Sequence, residues 1–470
     1  MTAVGTGTPA QQPGRLGRLL THRFLGLPLF LVVIWVTFRL VTDVAAPYVG
    51  WVSDVVGGPV TRWLTALLSL LHLDGGWVES LVVDGIFAGV GGVLAFVPVL
   101  LILYSALAVL EDSGYMMRSG VFTNGVMRVV GLPGAAFLPM VMGFGCTVPA
   151  VLATRSLENR RDRVLAGLLV PFMSCGARLP VYVLMAAVFF DSHQGTVVFS
   201  LYLGGILVAV AVGAILSRTL LRAPDRPRFQ LEPPPLRRPR LRRVGMLVGR
   251  RTVEFVKNAG TVILVASMIV WLLLAIPVRG GGGFADVAVE DSAFAGGARL
   301  AAPLLHPMGT GRWEQSGALA GGLVAKEVIV STLAQVTGTA EAAAVEESGG
   351  FLSDLGEIGG GFLVATGHAL EAIPGIIGIH LGNGETGSGW TALLGSVRGL
   401  FEASSGGHGA LAALAFMVFV LLYTPCAATL ATTRSQLGSR WMVASAVGQG
   451  AVAWMLATLV YRIGLWTGLG

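Results

Sequence analysis

Charged side chains are scarce in this chain of 470 residues. Asp, Glu, Lys and Arg together make up 12% of it, whereas about a quarter of a soluble globular domain is charged. Lys257 and Lys326 are the two lysines, so arginine supplies nearly all of the net charge of +6. Much of that arginine lies between residues 222 and 251. The scarcity excludes an ordinary soluble domain, and the clustering indicates a membrane-topology signal rather than a nucleic-acid surface.

Cysteine is also rare, and the motifs of common enzyme classes are missing. Three cysteines are an odd number, and all lie in apolar segments, which argues against a disulfide framework. The sequence contains no Gly-x-Ser-x-Gly elbow and no His-Glu-x-x-His pair. It has no Gly-rich loop ending in Gly-Lys-Ser/Thr, because Val256 and Ala325 precede the two lysines. We therefore expect no enzyme activity and no bound nucleotide in this chain.

Apolar length is what the sequence has in abundance. Hydrophobic residues make up 54% of the chain, and its mean hydropathy is +0.75. Several apolar runs reach the roughly 20 residues that cross the hydrocarbon core of a bilayer. The 66 glycines suit close helix packing and helix breaks. The predicted fold is an all-α, polytopic transmembrane bundle of about eight spans, with broken or re-entrant helices and two related halves.

Arginine and proline divide the chain. Arg15 and Arg18 precede the first apolar stretch, and no signal-peptide cleavage site follows it, so we expect a cytoplasmic N-terminus. A Pro- and Arg-rich segment then separates two apolar halves. The predicted divisions are a cytoplasmic leader at 1–21, a first membrane half at 22–221, a cytoplasmic linker at 222–243, the second half at 244–336 and 409–470, and a variable loop region at 337–408.

Each cysteine lies where glycine or proline interrupts an apolar segment. Cys146 follows Gly-Phe-Gly, Cys175 follows Pro-Phe-Met-Ser, and Cys426 follows Tyr-Thr-Pro. Helix breaks within a membrane are tolerated where they line a cavity, and transporters place ion sites at them. Three thiols at three breaks, with Met142 and Met173 as thioethers, indicate a path for a soft-ligand metal. The alternative is that each cysteine is a small buried hydrophobe.

The two halves share a weak internal repeat. Cys146 is followed by Thr-Arg-Ser at 154–156, and Cys426 is followed by Thr-Arg-Ser at 433–435. Repeats that meet around a central site are a common transporter plan. The repeat therefore predicts that Cys146 and Cys426 occupy related positions, although independent helix ends with arginine anchors would give the same pattern.

Charged residues within apolar segments form a second group of candidates. A charge at the centre of a span costs at least about 2.5–3.5 kcal/mol, so each needs a partner. Lys326 and Glu327 lie in one such segment, and Glu327 is expected either to pair with Arg178 or to meet the ion. Glu111 and Asp112 end another segment and are candidates for an acidic mouth. The alternatives are a structural ion-pair network and ordinary interfacial charge.

Several long motifs resemble the membrane domain of FeoB-type ferrous iron transporters. The similarity covers most of residues 22–335 and 409–464. The strings that carry it are Leu-Glu-Asp-Ser-Gly-Tyr-Met-Met-Arg at 110–118, Gly-Phe-Gly-Cys-Thr-Val-Pro-Ala at 143–150, Ala-Thr-Arg-Ser-Leu-Glu-Asn-Arg-Arg-Asp-Arg at 153–163, Pro-Phe-Met-Ser-Cys-Gly-Ala-Arg-Leu-Pro-Val-Tyr at 171–182, Asn-Ala-Gly-Thr-Val-Ile at 258–263, Gly-Leu-Val-Ala-Lys-Glu-Val at 322–328 and Tyr-Thr-Pro-Cys at 423–426.

The resemblance implies an inner-membrane permease that moves Fe²⁺ inward through a gated path. It also implies a cytoplasmic GTPase and a small accessory protein as partners, with homo-oligomers possible and no nucleic acid involved. Members of the family usually begin with a GTP-binding domain, for which this sequence lacks the phosphate-binding loop. A separate GTPase, GTPase-independent transport and a chain cut from a longer one all fit, and the polar leader after Met1 favours a naturally separate chain.

Two other functions fit the same residues. One is a permease for another divalent metal, such as Mn²⁺ or Zn²⁺, or for a small solute on the same scaffold. The other is a regulatory or assembly subunit that transports nothing itself.

Overall fold

The computed structural model describes residues 26–73, 75–114, 124–125, 127–190, 192–222, 239–279, 283–337, 350–375 and 388–468. The predicted leader, most of the linker and the stretch 115–118 lie outside these ranges. No strand occurs within them, and two isolated bridges are their only β contacts. The main helices are α1 (Gly26–Val55), α2 (Thr61–Leu70), α3 (Trp77–Asp112), α4 (Phe137–Gly145), α5 (Thr147–Ala153), α6 (Arg160–Leu169), α7 (Leu179–Phe189), α8 (Gln194–Arg218), α9 (Leu241–Phe255), α10 (Thr261–Ala275), α11 (Ala293–Leu305), α12 (Trp313–Val324), α13 (Val328–Val336), α14 (Phe351–Gly375), α15 (Ser388–Ser405), α16 (Gly409–Leu422), α17 (Ala427–Leu437) and α18 (Ser439–Thr467).

Five helical segments within the described ranges are long and apolar enough to cross a membrane. They are α3, α6 with α7, α8, α16 with α17, and α18. The sequence predicted about eight spans. The number of helices that meet the length requirement is smaller because several apolar segments consist of short or broken helices, such as α4 with α5 and the 15-residue α10. The all-α, multi-pass membrane fold is confirmed.

Within the described ranges, four pairs of consecutive helices are separated by a short interruption that is not α-helical, and we number these interruptions as breaks 1 to 4. At break 1, between α4 and α5, Cys146 is extended with φ −149° and ψ 130°. At break 2, between α6 and α7, Cys175 has φ −73° and ψ 157°. Ala325 at break 3, between α12 and α13, has φ −149° and ψ 142°. Cys426 at break 4, between α16 and α17, has φ −60° and ψ 159°.

The backbone angles group the four breaks in two pairs. Break 1 resembles break 3 and break 2 resembles break 4, in the same chain order, so Cys146 has the angles of Ala325 and Cys175 those of Cys426. The sequence paired Cys146 with Cys426 through their shared Thr-Arg-Ser string. That string forms a 3-10 turn after α5 but lies inside α17 in the second half.

The main core surrounds α7 and α16. Tyr182 and Met185 of α7 are fully buried, as are Phe416 and Met417 of α16. Both helices are apolar on all sides, which is the pattern of helices enclosed by other helices. The broken helices therefore lie against a rigid interior and not at the edge of the bundle.

The region 337–408 contains two helices where the sequence predicted a variable loop. Leu393, Val397 and Phe401 of α15, spaced four residues apart, are buried in the main core. α14 packs along α1. The loop prediction is wrong for these two helices, because tertiary packing stabilises stretches whose glycine content suggested irregular structure. Residues 338–349 and 376–387 of this region lie outside the described ranges.

Candidate metal pathway

The breaks meet in pairs within each half. A Cβ added to Gly143 would lie 3.0 Å from the Cβ of Met173 and 3.1 Å from the Val170 carbonyl oxygen, so α4 runs directly against break 2. In the second half, Lys326 beside break 3 donates to the carbonyl of Thr424 at break 4, over 2.7 Å. The halves are joined where α5 packs against α17. All four breaks therefore belong to one region of the bundle.

The three thiols are near one another but do not form a closed metal site. Cys146 and Cys426 both pack against one small apolar cluster. The Cys146 thiol is also within electrostatic range of the thiols of Cys175 and Cys426. All three are free cysteines. Among the residues that the structure describes, no three His, Cys, Asp or Glu side chains are placed to hold one metal ion. The arrangement is a series of thiol positions, not a closed ligand set.

A buried arginine satisfies the backbone of break 2. Arg178 is 1% exposed, and its Nη1 donates to the carbonyl oxygens of Pro171 and Met173 at 3.3 and 3.5 Å. These are carbonyls that the interrupted helix leaves without helical partners. The expected ion pair between Arg178 and Glu327 is not present, although the structure describes both residues. The guanidinium instead serves the backbone of its own break.

A buried lysine, Lys326, binds the backbone of break 4 in the same way, although it follows break 3 in the chain. The Lys326 ammonium donates to the Thr424 carbonyl and lies 3.2 Å from the centre of the Tyr423 ring. The Tyr423 hydroxyl donates to the Leu319 carbonyl at 3.3 Å, and the Thr424 hydroxyl donates to the Ala446 carbonyl at 2.9 Å. Break 4 is thereby fixed to α12 and α18. Its two polar residues precede Pro425, which disfavours helical backbone before it.

A cavity of about 840 Å³ leads from the breaks toward the arginine-rich side of the bundle. Its buried end contains Met142, Val148 and Ala428, which flank breaks 1 and 4. Exposed charged residues line its other end. They are Glu111, Arg155, Glu254 and Lys257, together with the half-buried Arg251. The chemistry of its lining changes from apolar and sulfur-containing to charged between the two ends.

The acidic residues at the end of α3 are paired with arginines of α9 or the residue before it. Glu111 forms an ion pair with Arg251 at 2.8 Å. Asp112 accepts from the backbone N–H of Arg240 at 2.8 Å and from Arg243 at 3.4 Å. Asp112 is thus an interfacial helix-end charge, which is the alternative that the sequence left open. Glu111 does lie at the charged end of the cavity, but with its carboxylate engaged by arginine.

Comparison with known families decides the relationship. The family described as "Gate: Nucleoside recognition" matches residues 93–189 and 256–440, which are more than half of the chain and contain all four breaks. The chain belongs to the Gate family. A second family, described as "Ferrous iron transport protein B C terminus", matches residues 198–251. The resemblance of this Gate-family chain to the membrane part of FeoB-type proteins is confirmed.

Curated relatives of this Gate-family chain carry FeoB names. A protein named Fe(2+) transporter FeoB from Legionella pneumophila is 36% identical over 458 residues, and its namesake from Staphylococcus aureus is 32% identical over 452 residues. A fusion from Porphyromonas gingivalis, named Fe(2+) transport protein A/Fe(2+) transporter FeoB, is 31% identical over 484 residues. The alignments cover 95%, 96% and 96% of this chain, but 59%, 59% and 51% of the relatives. No solved structure matches the chain.

The sequence of this Gate-family member did not predict every side chain that lies near the breaks. Of the two predicted thioethers, Met142 lines the cavity, whereas Met173 is 4% exposed and belongs to the main core. Tyr104 was missed, although it lines the cavity and is a single tyrosine in an otherwise aliphatic part of α3. Tyr423 and Thr424 belong to a sequence motif, but no chemical role was predicted for their side chains. Their contact with a lysine almost 100 residues earlier requires the folded chain.

Proposed function

We propose that this chain is an inner-membrane permease that carries Fe²⁺ into the cytoplasm. One observation supports this most directly: three free thiols lie at helix breaks, and a cavity leads from two of those breaks to a charged opening. The relatives that align with nearly the whole chain are named Fe(2+) transporters. The chain aligns with 59% of their length, so the transport activity of the whole proteins is proposed here and not carried over.

The proposed path hands the ion from one sulfur to the next. Fe²⁺ accepts thiolate, thioether and oxygen ligands, and its bond to each is weak enough to exchange. Cys175, Cys146 and Cys426 each offer one thiol at a helix break, and Met142 offers a thioether at the cavity wall. An incomplete ligand set favours release over retention. Oxidation of these thiols would remove the ligands, so transport requires reducing conditions.

The cavity is proposed as the cytoplasmic exit. Its charged end includes Arg155 and Arg251, and positive residues mark the cytoplasmic ends of membrane helices. A cytoplasmic N-terminus agrees with Arg15 and Arg18 in the leader. A separate GTPase is proposed to control opening from this side. The Porphyromonas gingivalis relative, whose name joins an A protein to FeoB, supports a small accessory protein as a further partner.

Uptake of radiolabelled Fe²⁺ under anaerobic conditions tests the proposal. Cells that lack their own iron transporter would express the native chain or a Cys146→Ser, Cys426→Ser double variant at equal membrane abundance. We expect uptake with the native chain and loss of uptake with the variant, because two of the three thiols are removed. A Thr147→Ser, Ala427→Ser double variant is the matched control, since it makes small side-chain changes directly after both cysteines and keeps both thiols.

Each outcome has a distinct meaning. Fe²⁺ uptake by the cysteine double variant at the native rate contradicts the sulfur-lined path and indicates that the cysteines only pack. Competition by Mn²⁺ or Zn²⁺ that exceeds self-competition by Fe²⁺ contradicts the choice of ion. Absence of uptake with the native chain is followed by co-expression of a candidate partner GTPase, and absence of uptake with that partner contradicts the permease function.

A further inference from the structure

Break 3 differs chemically from the other three breaks. Its extended residue is Ala325, where the matching residue of the first half is Cys146, and the next residue is Lys326. Three breaks therefore carry a thiol, and the remaining one carries a cation. Lys326 is 3% exposed, so its ammonium belongs to the interior of the bundle and not to a membrane surface.

The Lys326 ammonium fills a cation site made by break 4. The site consists of the Thr424 carbonyl oxygen, 2.7 Å away, and the face of the Tyr423 ring, 3.2 Å from its centre. A carbonyl oxygen and an aromatic face together suit an ammonium group. The Leu319 carbonyl holds the Tyr423 hydroxyl, and Gly322 is required because any Cβ there would overlap that hydroxyl. The chain thus occupies this cation site with its own side chain.

We propose that Lys326 is a tethered cation that keeps the resting path closed at break 4, and that its ammonium must leave the Thr424 carbonyl before a metal ion passes Cys426. This inference rests on the permease function proposed above. A fixed positive charge beside the route repels a divalent cation strongly where the dielectric constant is low. The ammonium also occupies a carbonyl that the break would otherwise offer to the ion. The flexible stem of lysine allows it to withdraw.

Metal entry into proteoliposomes tests the closing role directly. Vesicles containing a dye quenched by Fe²⁺ would carry the native full-length chain, Lys326→Met or Lys326→Ala, without any partner protein. We expect Fe²⁺ to enter about tenfold faster, or more, through both variants, because a like charge beside the route is gone. An Arg279→Met variant removes a cation from an exposed position and serves as the control. A residue needed only for folding would give slower entry, not faster.

Chemical rescue separates charge from volume. Propylammonium supplies the carbons and the ammonium that Lys326→Ala removes, whereas propanol supplies similar volume without charge. We expect propylammonium, but not propanol, to slow Fe²⁺ entry through this variant. Fe²⁺ entry at the native rate through Lys326→Met, or equal slowing by propanol and propylammonium, would overturn the inference.

The native chain provides a test that does not depend on a folded variant. Lys326 and Lys257 are its only lysines, so reductive methylation followed by mass spectrometry reports each ammonium separately. We expect Lys257, which is exposed, to react at rest while Lys326 is protected, and Lys326 to become reactive during Fe²⁺ flux. Equal reactivity at rest would contradict the inference. A native chain that moves no Fe²⁺ even when a candidate partner GTPase is supplied contradicts the permease proposal instead, since the leak through Lys326→Met is measured independently of it.

Discussion

Two adjacent glycines of α8 are expected to respond oppositely to the same substitution. A Cβ on Gly205 would lie 2.9 Å from the Phe172 carbonyl oxygen and 3.2 Å from a methyl group of Leu421. A Cβ on Gly204 meets nothing within 4 Å. The Phe172 carbonyl ends the 3-10 turn that leads into break 2, so it cannot move aside without moving the backbone next to Cys175. Gly205→Ala therefore perturbs the proposed path, and Gly204→Ala does not.

The two contributions to stability can be separated. Both substitutions gain about 0.5–1 kcal/mol from the higher helix propensity of alanine. Gly205→Ala also overpacks the helix contact, which typically lowers the free energy of unfolding by about 1–3 kcal/mol when the neighbouring atoms are rigid. The difference between the variants isolates the steric part. We expect Gly205→Ala to be less stable than Gly204→Ala by about 2 kcal/mol, which is roughly a 30-fold difference in the unfolding equilibrium.

Unfolding in mixed detergent and SDS micelles, followed by tryptophan fluorescence, measures this difference. The rate of Cys175 modification by a maleimide under native conditions is a second readout, and it should rise in Gly205→Ala alone because break 2 is displaced. Two variants whose free energies of unfolding agree within about 0.5 kcal/mol would refute the close approach of α8 to break 2. So would equal rates of Cys175 modification in both.

Two further predictions concern other contacts. Gly322→Ala should destabilise the protein by about 1–3 kcal/mol by displacing Tyr423, whereas Gly92→Ala, whose added Cβ meets no atom within 4 Å, should not, as the same SDS titration would show. The Arg62 guanidinium beside Asp354 holds the pKa of that carboxyl below its ordinary value of about 4. A lowered carboxyl pKa stabilises the contact between α2 and α14 above the ordinary pKa and loses that effect as the pH falls through the lowered one. The protection of the α14 amides from hydrogen exchange, taken relative to their intrinsic exchange rate at each pH, should therefore fall in acid. Asp354→Asn should already lower this protection at neutral pH and remove most of the acid dependence. An acid response unchanged by Asp354→Asn would contradict this cause.

The sequence was sufficient for the fold class and for the positions of the breaks. Apolar length predicts membrane helices because the bilayer imposes both length and composition. Glycine and proline beside Cys146, Cys175 and Cys426 predicted the interruptions, since these residues weaken or remove helical hydrogen bonds. The structure shows a further break, at Ala325, in the apolar segment 313–336. These are local effects, which the neighbouring residues determine by themselves.

Only the tertiary structure decided which breaks correspond and which charges meet. The backbone conformation at each break depends on packing, so a shared Thr-Arg-Ser string could not reveal that Cys146 and Ala325 have similar backbone angles. Lys326 reaches a carbonyl 98 residues later in the chain, and Arg178 binds its own break and not Glu327. A buried charge takes whichever polar group the packed helices bring within reach. Sequence shows that such a charge needs a partner, and the arrangement of the helices determines which partner it finds.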